Sequence, residues 1–492
     1  MRRLLALLPL LALLPLLAVL LPASASAAEP GVHSDNLSYI KNIPYPAKNG
    51  GTANYGTDIE FATLAGHQYA LAGSYKNGLQ IVDITSPEQA RTAATYDCGV
   101  TQGDVQVFRQ ASKPGRTFAG YASDTFGDGT STCYREAAAL GFDVLNADGT
   151  GKNGTFIVEL TNPLAPKTVS FVGVEQGTHN HTIHPNGNYL YNSNSDLITS
   201  VQPAIEIYDI SSFATPHKVK ELALPTRPGL GTESHDITFN TAGDRAYSAA
   251  LSQGVIINTT NPARPTIVSS FLDPTINVWH QMDPFTLTDA QGNRREFLIA
   301  EDEVAGATGT GQCPNGGVHV YDITGDKELA PEKVGYWNID DVRPTSSVTD
   351  SCTAHVFDIH EREQLMTIAY YNGGVHVVDI SGLTGIALGG STQVGGPGMR
   401  EIGFYRAENG DGAGNADSWS FKAPKVSRTG DFHLYGNDIA RGLDVYRFSN
   451  AARRSQRAGR WLSPAQATRA LTGRSQVTLS GATAFFCLLP QS

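Results

Sequence analysis

Gly317-Val318-His319-Val320-Tyr321-Asp322-Ile323 and Gly374-Val375-His376-Val377-Val378-Asp379-Ile380 repeat one pattern, and Gly78-Leu79-Gln80-Ile81-Val82-Asp83-Ile84 repeats it again. Weaker copies lie at 156–160, 206–210, 255–258 and 442–446. Each is a short β-rich run introduced by a turn, as a hairpin strand should be. Proline often follows the acidic position by four residues, as at Pro87, Pro163 and Pro262. A proline there stops a strand ladder and starts a turn.

The order around each copy also repeats. A short strand precedes a polar turn, then come a Tyr/Ala-rich strand, the motif strand and a last Val/Phe/Tyr strand. In the fourth copy these are 236–239, 246–250, 255–258 and 266–271. Four antiparallel strands per ~60 residues, seven times over, predict an all-β chain folded as a seven-bladed β-propeller with four-stranded antiparallel blades. A solenoid is the alternative, but hairpin-linked four-strand units suit radial closure better. The length of 492 residues would otherwise suggest about three domains. Gly and Pro, at 51 and 26 residues, are accounted for by the blade turns. The last copy lacks a fourth strand, and 36–43 resembles the fourth strands at 167–173 and 400–405. The N-terminal segment is therefore expected to complete blade seven and close the ring, which removes two exposed sheet edges.

Leu79-Gln80-Ile81-Val82-Asp83 most clearly resembles the consensus of the LVIVD-repeat family. The resemblance covers about 36–450. It implies a surface or secreted propeller and brings no assigned activity with it. The recurring motif acids Asp83, Asp209, Asp322 and Asp379 are expected to bind turn amides.

Aligning the first strand of each blade exposes the chemistry. His179, His235, His280 and His355 fall at one position in four adjacent blades, and Asp58, Asp104 and Asp417 lie at or beside it in the other three. First strands line a propeller's channel, so these positions form a ring. Four imidazoles converging on one point suit a transition metal such as Fe, Cu or Zn, with carboxylates to orient the rings. This resembles, in geometry alone, the four-histidine iron centre of carotenoid-cleaving propeller oxygenases and the histidine-lined selenium-binding-type thiol oxidases. The alternative is bonding between blades inherited with the repeat. His319 and His376, which recur in the motif strand, are expected to bond locally, and His181, His184 and His360 to be structural or surface residues. Glu233, Asp236 and Trp279 flank the ring, whereas Glu301-Asp302-Glu303 is expected in a solvated loop.

Two Gly/Asp-rich loops, 124–129 and 409–415, offer oxygen ligands for Ca, though neither follows the twelve-residue loop pattern. Residues 1–28 read as a signal peptide: Arg2-Arg3, a Leu-rich run, then small residues around Ala25 and Ala27. Secretion, with possible cell-surface association, and no transmembrane segment in the mature chain are expected. Outside the cytoplasm, Cys98, Cys133, Cys313 and Cys352 suggest two disulfides. Of three pairings, nearness in sequence favours Cys98–Cys133 and Cys313–Cys352, leaving Cys487 free or intermolecular.

The net charge is −11 although 1–28 and 451–492 contribute two and six arginines and no acid. A body this acidic argues against nucleic acid as partner. The basic tail 451–492 is expected to be disordered or helical, and the chain to be a monomer. Two functions remain open: an exported module binding a protein or small-molecule ligand, or a metal-dependent oxidoreductase built on the four histidines.

Overall fold

A computed structural model of the chain describes residues 31–197, 200–227, 230–289, 291–303, 316–339, 352–385, 398–408, 414–450 and 460–471. Seven antiparallel sheets follow one another along the chain, each entered by its innermost strand. Blade four runs Asp236–Phe239, Arg245–Ala250, Gln253–Asn258 and Thr266–Phe271, one to two residues longer at two strands than the sequence pattern indicates. The fold is the seven-bladed propeller expected from the repeats.

The motif strand is the third of each blade, and its packing explains its unbroken hydrophobicity. Ile81 packs in the cluster shared with blade two, while Val82 packs in the cluster shared with blade seven. Val377 and Val378, and Val255 and Ile256, are divided between two clusters in the same way. A strand covered on both faces needs apolar residues at every position rather than at alternate ones. Each such side chain contributes about 1.5–3 kcal/mol on burial. The motif acids behave as expected: Asp83, Asp209, Asp322 and Asp379 accept the backbone N–H of Thr85, Ser211, Thr324 and Ser381 at 2.8–3.0 Å.

Closure follows the sequence expectation. Leu37–Ile43 pairs antiparallel with Gly442–Phe448 as the fourth strand of blade seven. Its register slips between Tyr39 and Lys41, and the other six blades slip at the corresponding pairing of third and fourth strands. The N-terminal strand thus reproduces the bulge of the strand it replaces.

Two blades differ from the four-strand expectation. Gly31–His33 adds a fifth strand to blade six, and Arg460–Leu462 adds one to blade five. Trp461 lies over Gly335, where any side chain would collide with its ring. Helix Pro464–Leu471 follows and buries Ala467 and Leu471 against Tyr336. The basic tail is therefore folded onto the propeller between 460 and 471. The signal-peptide reading, Cys487 and the arginines at 453, 454, 457 and 474 lie outside the described residues.

Blade two carries an insertion containing helix Thr132–Ala139, tied back by the Cys98–Cys133 disulfide that the sequence favours. Cys352 is also disulfide-bonded, and Cys313 lies outside the described residues. No helix among the described residues is long and apolar enough to cross a membrane.

Candidate metal centre on the propeller axis

The inner strands begin irregularly, and this aims their first side chains at the axis. In blades one, two, five and seven the register shifts at the start: Gly56/Ile59, Gln102/Val105, Trp279/Met282 and Ser418/Ser420. Bulges of this kind re-aim side chains beside functional sites. In blades three, four and six the histidine precedes the regular ladder, and its backbone N–H donates to Ser193, Ala249 and Ala369 at 2.8–2.9 Å.

His179, His235, His280 and His355 come together as the sequence alignment requires. Successive ring centroids are 4.4, 4.0 and 4.4 Å apart, and all four side chains are at most 3% exposed. Two of their Nδ1 atoms are held by backbone carbonyls. His235 Nδ1 donates to the backbone oxygen of His280 at 3.0 Å, and His355 Nδ1 to that of Trp419 at 2.6 Å. A carbonyl can only accept, so both rings carry Nδ1–H and present the Nε2 lone pair. Asp124 Oδ1 lies 3.3 Å from His179 Nδ1, and Glu301 Oε2 lies 2.6 Å from His280 Nδ1.

The Nε2 atoms face inward. Those of His179 and His235 are 2.9 Å apart. His280 Nε2 is 3.7 Å from Glu303 Oε2, and His355 Nε2 is 3.8 Å from Glu303 Oε1. Two ligand atoms ~2.1 Å from one ion and at right angles to each other lie ~3.0 Å apart, close to the first of these spacings. The ligand atoms of His235, His280 and Glu303 all lie within 4.8 Å of one another, and this buried group can hold a metal ion.

Electrostatics favour a cation there. Burial pushes His235 and His280 well below the ordinary histidine range, and His355 to about 3, so these rings are neutral. Glu301 is pushed well above the usual carboxyl range by burial and then by Glu303, Asp302 and Asp236, all of one sign. Burial raises Glu303 to about 8, although Tyr371 Oη donates to its Oε1 at 2.8 Å. At neutral pH both carboxyls therefore hold a proton, which a bound dication would displace.

The acidic trio is thus a correction to the sequence reading. Glu301, Asp302 and Glu303 are at most 1% exposed, because the strand Arg294–Asp302 continues inward until Asp302 pairs with Trp279. Counting back from the turn at 289–293 would have set these acids opposite His280. Blade seven is a second correction, since Trp419 rather than Asp417 packs on His355, with centroids 4.7 Å apart. Asp58 and Asp104 line the cavity beneath the cluster together with Asp236.

Other residues singled out by sequence have local roles. Asp124 turns towards His179, and Asp128 accepts Thr130 N–H and Oγ1, so the first Gly/Asp loop has its carboxylates engaged within the fold. Residues 409–413 of the second loop lie outside the described residues. Glu233 accepts from Asn194 and Ala204 N–H in blade three, and Trp279 stacks on Tyr321. His181 meets Asp104 at 2.9 Å and His184 Nε2 meets the Gly243 oxygen at 2.7 Å. His360 sits 3.5 Å from Asp358. His319 and His376 stay within their blades, beside Lys333 and Glu401.

These observations define a class: a seven-bladed propeller with a buried histidine–carboxylate cluster on its axis. The structure is similar to that of the Pseudomonas aeruginosa periplasmic gluconolactonase PpgL, with a TM-score of 0.51, 11% identity and coverage of 80% of this chain and 96% of that one. It is also similar to the β-propeller domain of Myceliophteria thermophila Cps50 (Swd1), at a TM-score of 0.44, 9% identity and coverage of 81% and 98%. No protein-family model and no curated protein sequence matches the chain. The likeness is one of fold, and the LVIVD resemblance rests on the motif strands alone.

Proposed function

We propose that this is an exported propeller holding one transition-metal ion on His179, His235, His280 and His355, and that it acts as a metal-dependent oxidoreductase. The observation that carries the reading is the facing pair of nitrogens, His179 Nε2 and His235 Nε2 at 2.9 Å, with each ring's Nδ1 held from behind. One shared proton could reconcile two lone pairs. The two further imidazoles and the buried carboxylate of Glu303 call for a metal instead. An all-imidazole set suits Fe, Cu or Zn. A redox-active ion there would supply one-electron chemistry.

The chain's own residues have definable tasks. Asp124 and the His280 and Trp419 carbonyls fix ring orientation, the usual work of groups surrounding a metal's ligands, and Glu301 lies 2.6 Å from His280 Nδ1. Tyr371 holds Glu303 beside His280 and His355. Export is supported by the signal-peptide-like start and by the disulfide.

The test is elemental analysis of protein purified without an affinity tag, compared with the His235→Ala/His280→Ala double variant. Near-stoichiometric Fe, Cu or Zn that vanishes in a folded variant is expected. Metal-free wild-type protein of normal stability would overturn the proposal.

A further inference from the structure

The inner strands carry a second chemical pattern below the histidines. One residue further along, the equivalent positions place Asp58, Asp104 and Asp236 on the channel, where they line a cavity of ≈ 60 Å³ together with His280 and His355. Three residues further along than the histidine position stand Glu60, Asp283 and Asp358, and in blade seven Lys422. Lys422 Nζ is 2.9 Å from Asp58 and 3.2 Å from Glu60, while Asp104 is matched by His181 at 2.9 Å. Six acidic side chains therefore stand along the inner strands, with Lys422 beside two of them and His181 beside a third.

A second, larger cavity lies further along the inner strands of blades four to six. Asp283, Asp358 and Thr238 line this cavity of ≈ 670 Å³ towards the far ends of the inner strands. Gln281, on the inner cavity, donates to Asp283, on the outer one, at 3.1 Å, and Thr238 Oγ1 donates to the same carboxylate at 2.6 Å. At the inner end stands His355, fully buried and with Nε2 lacking a hydrogen-bond partner. Acidic side chains thus line both cavities, and the inner one ends on an unsatisfied histidine nitrogen.

We infer that these two cavities join to form the loading route of the metal centre, admitting divalent cations past Asp283 and Asp358 and turning anions away. The inference rests on the proposed four-histidine site. Narrow clefts of one sign with low-dielectric walls focus the field and raise counter-ion on-rates by roughly 10–10³-fold, an effect that salt screens. The same wall would favour neutral or cationic reaction partners over anionic ones.

Metal-free full-length protein mixed with cobalt(II) chloride tests the route, with cobalt's visible absorption reporting occupancy in stopped flow. The wild-type loading rate should fall about tenfold as ionic strength rises from ~0.01 to ~0.3 M. Asp283→Asn/Asp358→Asn should load about tenfold more slowly at low salt, yet reach the same final spectrum and stoichiometry. Asp358→Asn alone provides a second arm, because that side chain is 36% exposed and its replacement leaves the interior intact. Loading that is insensitive to salt and to both variants, with normal final occupancy, overturns the route but leaves the site standing. Wild-type protein that takes up no cobalt overturns both.

Discussion

His179 Nε2 and His235 Nε2 face each other at 2.9 Å on the propeller axis, with Asp124 behind one ring and the His280 carbonyl behind the other. His235 presents a lone pair here, so the short contact takes either a proton or a metal ion between the two nitrogens. A ligand that binds only the folded state stabilises it by about 4 kcal/mol at a thousandfold excess over its dissociation constant. Chelation should accordingly lower the wild-type melting temperature by several degrees. The His179→Asn/His235→Asn variant should melt at one temperature with or without chelator, as calorimetry would show.

Glu301 contributes from behind His280, 2.6 Å from its Nδ1. Glu301→Gln removes a carboxylate while keeping its shape. Loss of such an outer partner typically costs about 10–100-fold in metal affinity. Competition against a chelator of known affinity should show that loss, and an unchanged affinity would mean that Glu301 does not act through His280.

The blade-two insertion hangs on Cys98–Cys133, separated by 35 residues. Closing a loop of that size stabilises the fold by about 3–4 kcal/mol through the unfolded chain. Cys98→Ser/Cys133→Ser should shift the denaturant midpoint down by a corresponding amount. The same insertion carries Asp124, so the variant should also bind metal more weakly.

Asp438 gives a pH dependence away from the metal ligands. Burial and then the neighbouring Asp444 push it up to about 7, although it accepts Asp417 N–H and Ser418 Oγ. A carboxyl with a raised folded-state pKa binds more protons when folded, so its stabilising contribution is lost as pH rises from about 4 to about 7. The slope is at most ~1.4 kcal/mol per pH unit. The stability advantage of wild type over Asp438→Asn should shrink across that window and then level off. Urea titrations between those pH values would show it, and a constant difference would contradict it.

Much of this architecture was legible in the chain. The motif strands were visible because each lies between two blades and is apolar throughout, as Ile81 and Val82 illustrate. The four histidines aligned because each stands where the first strand of its blade begins, within two residues of the strand's start. Glu301 and Glu303 were not legible, since an acidic run looks like a solvated loop until the pairing of Trp279 with Asp302 draws it inward. Asp124 was obscured for a similar reason: its neighbours suggest a calcium loop, and only the folded insertion turns it towards His179. The fifth strands left no repeat signal because each fills a sheet edge far away in sequence.

The central claim is that one transition-metal ion sits on the four histidines, and element-specific anomalous scattering from crystals of untagged protein tests it most directly. The account predicts a single strong peak on the propeller axis, ~2.0–2.2 Å from the imidazole Nε2 atoms. A cluster without a peak in crystals of metal-supplemented protein, or a peak seated elsewhere in the molecule, would contradict it.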